Sequence, residues 1–313
     1  MLAYTLTGGH RMKRGIPLLI LATLFWSGNY IAGRFLAHSM PPLILNGVRW
    51  VISAALLWLI LKARGRRLPL RKFWREFLIM GFTGMFVFSG LTYEGLRYVP
   101  AAQAGMISAA IPVAILVLGV FVIRDHPSWI GWTGALLSFV GVVILIGSGK
   151  TTAHSFALGG DSAIVAAAVS WGLYTVLGKK YSRYIDPLTL TAGAAVYGAI
   201  PSVGAALWTL PNLTIHMNAV AWLSLLYVST GASVVAYMVW TTGVHWTGPS
   251  RSAPYMNLLP IWTVVLGVLV LHEKVGVNDW LGGAITVLGA VLASFPSGGP
   301  KSMNRKAHGD VTG

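Results

Sequence analysis

Apolar residues in this chain run on for about twenty positions at a time, and each run stops at a cluster of charge or at a Pro/Gly break. A helix rising about 1.5 Å per residue crosses roughly 30 Å of hydrocarbon in about 20 residues. Runs of that length fall at 15–36, 42–62, 74–95, 100–123, 128–148, 161–181, 187–209, 218–243, 249–271 and 278–296. The pattern predicts an all-α membrane protein with ten transmembrane helices. A signal peptide at the basic start (Arg11, Lys13, Arg14) would explain one apolar run but not its recurrence. The longest connection, around Ser148 to Gly160, leaves no space for a soluble catalytic domain.

Composition agrees with the pattern. Of 313 residues 55% are hydrophobic and only 10% charged, where a soluble protein carries about a quarter charged. The formal charge of +15 would suggest nucleic acid in a soluble chain, but the placement of the bases says otherwise. Lys62, Arg64, Arg66, Arg67, Arg71, Lys72 and Arg75 share one connection, as in a cytoplasmic loop held near anionic lipid. No nucleic-acid module surrounds them. With a cytoplasmic N-terminus the inner side also takes Arg11, Lys13, Arg14, Arg124, Lys179, Lys180, Arg183, Arg251, Lys301, Arg305 and Lys306. The outer side takes only Arg34, Arg97, Lys150 and Lys274. Both termini are expected in the cytoplasm, in a bacterial-type inner membrane. There is no cysteine, so disulfides and thiolate chemistry are excluded.

The chain repeats itself. At an offset of 145, Trp26 meets Trp171, Gly33 meets Gly178, Arg34 meets Lys179 and Pro42 meets Pro187. At 148, Pro112 meets Pro260, Gly119 meets Gly267, Asp125 meets Glu273, Trp132 meets Trp280 and Gly141 meets Gly289. The organisation read from this is a cytoplasmic segment 1–14, a five-helix repeat 15–148, a second repeat 161–296 and a cytoplasmic tail 297–313. Five is odd, so the second repeat enters the membrane from the opposite side. Inverted repeats of this kind hold substrate near the midplane and alternate access by rocking.

The opening LFWSGNYIAGRF and the block PIWTVVLGVLVLHEKVGVNDWLGGAITVLGAVLAS from Pro260 resemble the EamA-type members of the drug/metabolite transporter superfamily. The resemblance covers about 15–296. It implies a ten-helix exporter of small metabolites, similar to the YddG-like amino-acid exporters. Small multidrug members of that superfamily carry a Glu in the first helix. This chain has none there or in the counterpart span, which argues against proton antiport and against cationic drugs.

Candidate chemistry sits on helical faces. Trp26, Asn29, Tyr30 and Gly33 share one face, and Trp171, Tyr174, Thr175 and Gly178 form the counterpart. They line a cavity for an amphipathic solute or, alternatively, pack helices. Tyr93 and Trp240 are further substrate-binding candidates, or belong to an interfacial aromatic belt. Gln103, Arg251 and Tyr255 are weaker ones. Pro112 and Pro260, at matching places, each withdraw a donor from the carbonyl four residues earlier, which suits a hinge or gate. Stripes Gly134, Ser138, Gly141 and Gly282, Thr286, Gly289 predict tight helix contacts, within one molecule or in a homodimer.

Arg49 is the base well inside a run, and its counterpart is Ala194. A charge at that depth is costly unless used. It pairs with a substrate carboxylate or, on the plainer reading, snorkels outward or pairs with Glu94. Glu94 is read as the carboxylate near membrane depth and the candidate proton relay. No intramembrane acid pair, Ser with His or Lys, or metal-spaced His pair is present in the runs, so an enzyme, a metal site and a cofactor are not expected. The favoured function is export of aromatic or neutral amino acids by alternating access. The alternatives are a carrier of nucleotide sugars, phosphate esters or drugs, or a channel.

Overall fold

The structure, a computed structural model, describes residues 2–37, 39–124, 128–147, 154–209, 215–247 and 253–293. Asp125, Arg251 and the tail 297–313 lie outside them. Helices account for the described chain, and no strand occurs among the described residues. They are α1 (Leu2–Leu36), α2 (Pro42–Ala63), α3 (Trp74–Met80) continuing through a π-helical stretch (Gly81–Val87) into α4 (Phe88–Tyr98), α5 (Ala101–Ser108), α6 (Ile111–Ile123) and α7 (Trp129–Gly147). The second half follows with α8 (His154–Tyr181), α9 (Pro187–Thr209), α10 (Ala219–Tyr227), a π-helical stretch (Val228–Val235), α11 (Ala236–Thr247), a 3₁₀ turn (Ala253–Asn257), α12 (Leu258–Leu271) and α13 (Val277–Ala293).

Seven of the described helical stretches are long and apolar enough to cross a membrane, and Trp129–Ile144, Tyr255–Leu271 and Val277–Ala293 are shorter apolar helices beside them. Local sequence sets the ends. Pro42 opens α2 from its first turn, where its missing N–H costs nothing. The Asn218 side chain accepts from Ala221 N at 2.8 Å and caps α10. Arg124 and His272, 148 residues apart, both close their helices at φ 53°, a left-handed conformation that costs a non-glycine about 1–2 kcal/mol.

Packing pairs the halves. α2 lies against α9, α7 against α13 and α5 against α12; α1 packs on α11 and α12 as α8 packs on α4 and α6. Exchanging each span with its counterpart, α5 and α6 together for the 3₁₀ turn and α12, leaves this set unchanged. The small-residue stripes meet inside the molecule: a Cβ on Gly134 would meet the backbone of Gly289, Leu292 and Ala293, and one on Gly141 would meet Thr286. The bundle exterior carries Phe121, Trp129, Leu136, Phe139, Trp208 and Leu223, all largely exposed, an apolar surface that suits lipid and not water.

Candidate functional site

The interior divides into a polar group and an aromatic group. Arg49 lies seven residues along α2 from Pro42, about 10 Å into the helix, and is 4% exposed. Its Nε donates to Ser233 Oγ at 2.7 Å and its Nη1 to the Tyr93 hydroxyl. That hydroxyl donates in turn to Asn29 Oδ1 at 2.9 Å. The guanidinium carbon stands 4.9 Å from the Trp50 ring centre and 5.4 Å from that of Tyr93, within cation–π range. Among the described residues Arg49 makes no ion pair; Glu94 pairs instead with Arg97, at 3.2 Å on the surface. Arg49 therefore neither snorkels nor meets Glu94. Neutral hydroxyl acceptors and ring faces solvate its charge, so it remains available to an anionic group.

Beside it the Tyr30 hydroxyl donates to Ser108 Oγ at 2.5 Å, and Ser108 donates to Ala104 O. One turn back along α1, Trp26 meets Trp171, Tyr237 and Trp240 with ring centres 6.0, 5.5 and 5.4 Å apart. Trp171 also stacks on Tyr174 at 4.9 Å and meets Phe88 in a tilted contact at 4.6 Å. The two groups touch through the second π-helical stretch: Trp26 Nε1 donates to Ala232 O at 3.1 Å, and the next residue, Ser233, receives Arg49. A charged, hydroxyl-lined pole and an aromatic pole thus adjoin between the halves.

A family model for EamA-like transporters matches residues 13–147 and again 158–295. The chain belongs to the EamA-like transporter family, and so to the drug/metabolite transporter superfamily. An uncharacterized transporter of Archaeoglobus fulgidus is 28% identical over 88% of this chain and 96% of its own length. The uncharacterized transporter YyaM of Bacillus subtilis is 26% identical over 88% and 92%. The uncharacterized inner membrane transporter YedA of Escherichia coli is 24% identical over 91% and 93%. A solved crystal structure shares the fold with a TM-score of 0.65 and 22% identity, covering 90% of this chain and 96% of that one.

In this EamA-like transporter the remaining candidates scatter. Gln103 donates to Asp161 Oδ1 at 2.8 Å. Asp161 corrects the reading of Glu94 as the carboxylate near membrane depth: α8 begins earlier than the apolar run suggests, and Asp161 on it is 1% exposed while Glu94 is half exposed. Tyr255 is half-buried in the 3₁₀ turn and joins neither group. Pro112 stands in the first turn of α6, after a tight joint in which Ala109 N and Ala110 N bond back three residues to Met106 O and Ile107 O. Pro260 stands in the first turn of α12, after the 3₁₀ turn. Each proline follows a break in its helix and does not sit inside a continuous one.

The π-helical stretches had no sequence signal. They occupy matching places in the two halves of the transporter, and neighbouring helices supply donors to their loosened carbonyls. Ser170 Oγ donates to Thr83 O at 2.8 Å and Asn46 Nδ2 to Met85 O at 3.2 Å, while Ser53 Oγ donates to Ser229 O at 2.9 Å. Such local widenings concentrate at functional sites, and here one of them carries Ser233. Ser108, Ser233 and Phe88 were missed because a serine or a phenylalanine in an apolar run is ordinary until a neighbour is known.

Proposed function

We propose that this transporter carries small amphipathic solutes bearing a carboxylate, amino acids above all, by alternating access along a path between its two halves. The observation that carries the reading is Arg49, a buried guanidinium with no carboxylate partner among the described residues, set beside an aromatic cage. A substrate carboxylate takes the fork of the guanidinium, and the aromatic pole takes an apolar or aromatic side chain. Phosphate esters and nucleotide sugars call for several bases, and Arg49 is the one Lys or Arg among the buried described residues.

The rest of the reading is ten spans in two inverted repeats, with both termini cytoplasmic and net export. Three ties support the inversion. His216 N donates to Ser39 O at 2.9 Å, joining the α1–α2 and α9–α10 connections at one end. At the other end Arg66 pairs with Asp186 at 3.0 Å and Tyr184 donates to Glu76 at 3.0 Å, joining the α2–α3 and α8–α9 connections. The first connection of one half thus shares an end with the second connection of the other. The breaks before Pro112 and Pro260 serve as hinges, and Glu94, exposed and paired with Arg97, is no longer assigned a proton-relay role.

The test is counterflow of labelled phenylalanine or threonine into liposomes preloaded with unlabelled amino acid. Saturable counterflow is expected. Arg49→Gln, which keeps donors but removes the charge, should lower kcat/KM about tenfold to a hundredfold. No counterflow of any amino acid by folded protein would overturn the substrate class.

A further inference from the structure

A cavity of about 540 Å³ opens at the end of the bundle opposite the basic loop, lined by Arg34, Phe35, Ser39, Pro100, His216, Asn218, Leu271 and Glu273. Two of these residues carry opposite charges, yet they do not close on each other: among the described residues neither forms an ion pair. Arg34 Nη1 donates to Leu96 O at 2.5 Å. Glu273 accepts from Ala101 N and Ala102 N, both at 2.8 Å, and so caps α5. Each charge is held in place by backbone, and the cavity lies between them.

The cavity stands directly over the polar group. Gly33, the residue before Arg34, lies so close to α4 that a Cβ there would fall 2.8 Å from Leu96 Cδ1 and 3.0 Å from Tyr93 Cε1. Tyr93 is the ring whose hydroxyl receives Arg49. One turn of α4, from Leu96 to Tyr93, separates the backbone anchor of Arg34 from the Arg49 guanidinium below.

We propose that this vestibule is a separate, weaker binding site for zwitterions with adjacent carboxylate and ammonium groups, which Arg34 and Glu273 hold after the solute leaves Arg49 on its way out. The proposal rests on the amino-acid reading above and adds to it a second site. Arg34 has further N–H groups for a carboxylate. The Glu273 oxygens have remaining lone pairs for an ammonium, and Ser39, His216 and Asn218 complete a polar rim. Arg34 and Glu273 already attract each other across the cavity, so a molecule carrying only one charge weakens that attraction without replacing it on both sides, and the site selects for both charges.

The experiment is a ¹⁹F NMR titration of 4-fluorophenylalanine against purified protein. The Arg49→Gln variant should keep saturable line broadening, now from the vestibule alone. Adding Arg34→Gln should weaken it at least about tenfold, with Arg34→Lys restoring part. The N-acetyl and methyl-ester derivatives should each compete about tenfold less well. Should Arg49→Gln not fold, calorimetric titration of the otherwise unaltered chain decides: two classes of site are expected, reduced to one by Arg34→Gln. Binding indifferent to Arg34→Gln while counterflow proceeds would overturn the vestibule and leave the amino-acid reading intact. Absence of both counterflow and binding in the unaltered chain would overturn the two together.

Discussion

At the scale of single residues, the most consequential atom is the Tyr93 hydroxyl, which accepts from Arg49 and donates to Asn29 in one buried chain. Tyr93→Phe deletes both bonds without changing the ring's packing. Leaving two buried polar partners unmatched costs about 1–3 kcal/mol, so its unfolding midpoint in detergent should fall clearly below that of Asn29→Ala, which removes one bond. An unaltered midpoint for Tyr93→Phe would show that the guanidinium finds its solvation elsewhere. Arg49 itself was legible in the sequence, because a lone base within an apolar run stands out against its surroundings. Its partner Ser233, and Ser108 and Asp161 beside other candidates, were not. Ser233 and Ser108 are hydroxyls like many others, and Asp161 sat where the apolar run appeared to start, so neither hydropathy nor spacing could separate it from an interfacial acid.

At the scale of elements, the tightest contact joins α7 and α13, where glycines let two backbones approach. Gly141→Ala places a methyl against Thr286, and Gly134→Ala places one against the α13 backbone. Each should destabilise by about 1–3 kcal/mol. Gly204→Ala, on α9 with open space around its position, should instead be neutral or stabilising by up to about 1 kcal/mol, since alanine loses less backbone freedom in a helix. Thermal unfolding of the three variants side by side checks the contrast; equal effects would mean that α7 and α13 are not in close contact. The small-residue stripes were visible in the sequence, but whether they joined helices of one molecule or of two was open, since a stripe records only that something comes near.

At the scale of the whole molecule, the arrangement of connections can be read chemically, because the chain has no cysteine and a single introduced one reports alone. Ser39→Cys and His216→Cys should react with a membrane-impermeant maleimide from one side, and Arg66→Cys and Arg183→Cys from the other. All four reacting from the same side would rule out inverted repeats. By itself the sequence determined the helices, their approximate ends and the twofold repetition, and it singled out Trp26, Trp171 and Arg49. Those features are local or periodic: about 20 apolar residues in lipid have to satisfy their own backbone bonds as helix, and a duplication leaves its offset in the residues. Only the tertiary structure decided which side chains share a volume. Arg49, Tyr93, Asn29 and Ser233 come from four different helical segments, and the separate anchoring of Arg34 and Glu273 depends on two helix ends 62 and 171–172 residues away. Such meetings follow from how packed helices cross, which no spacing along a single run encodes.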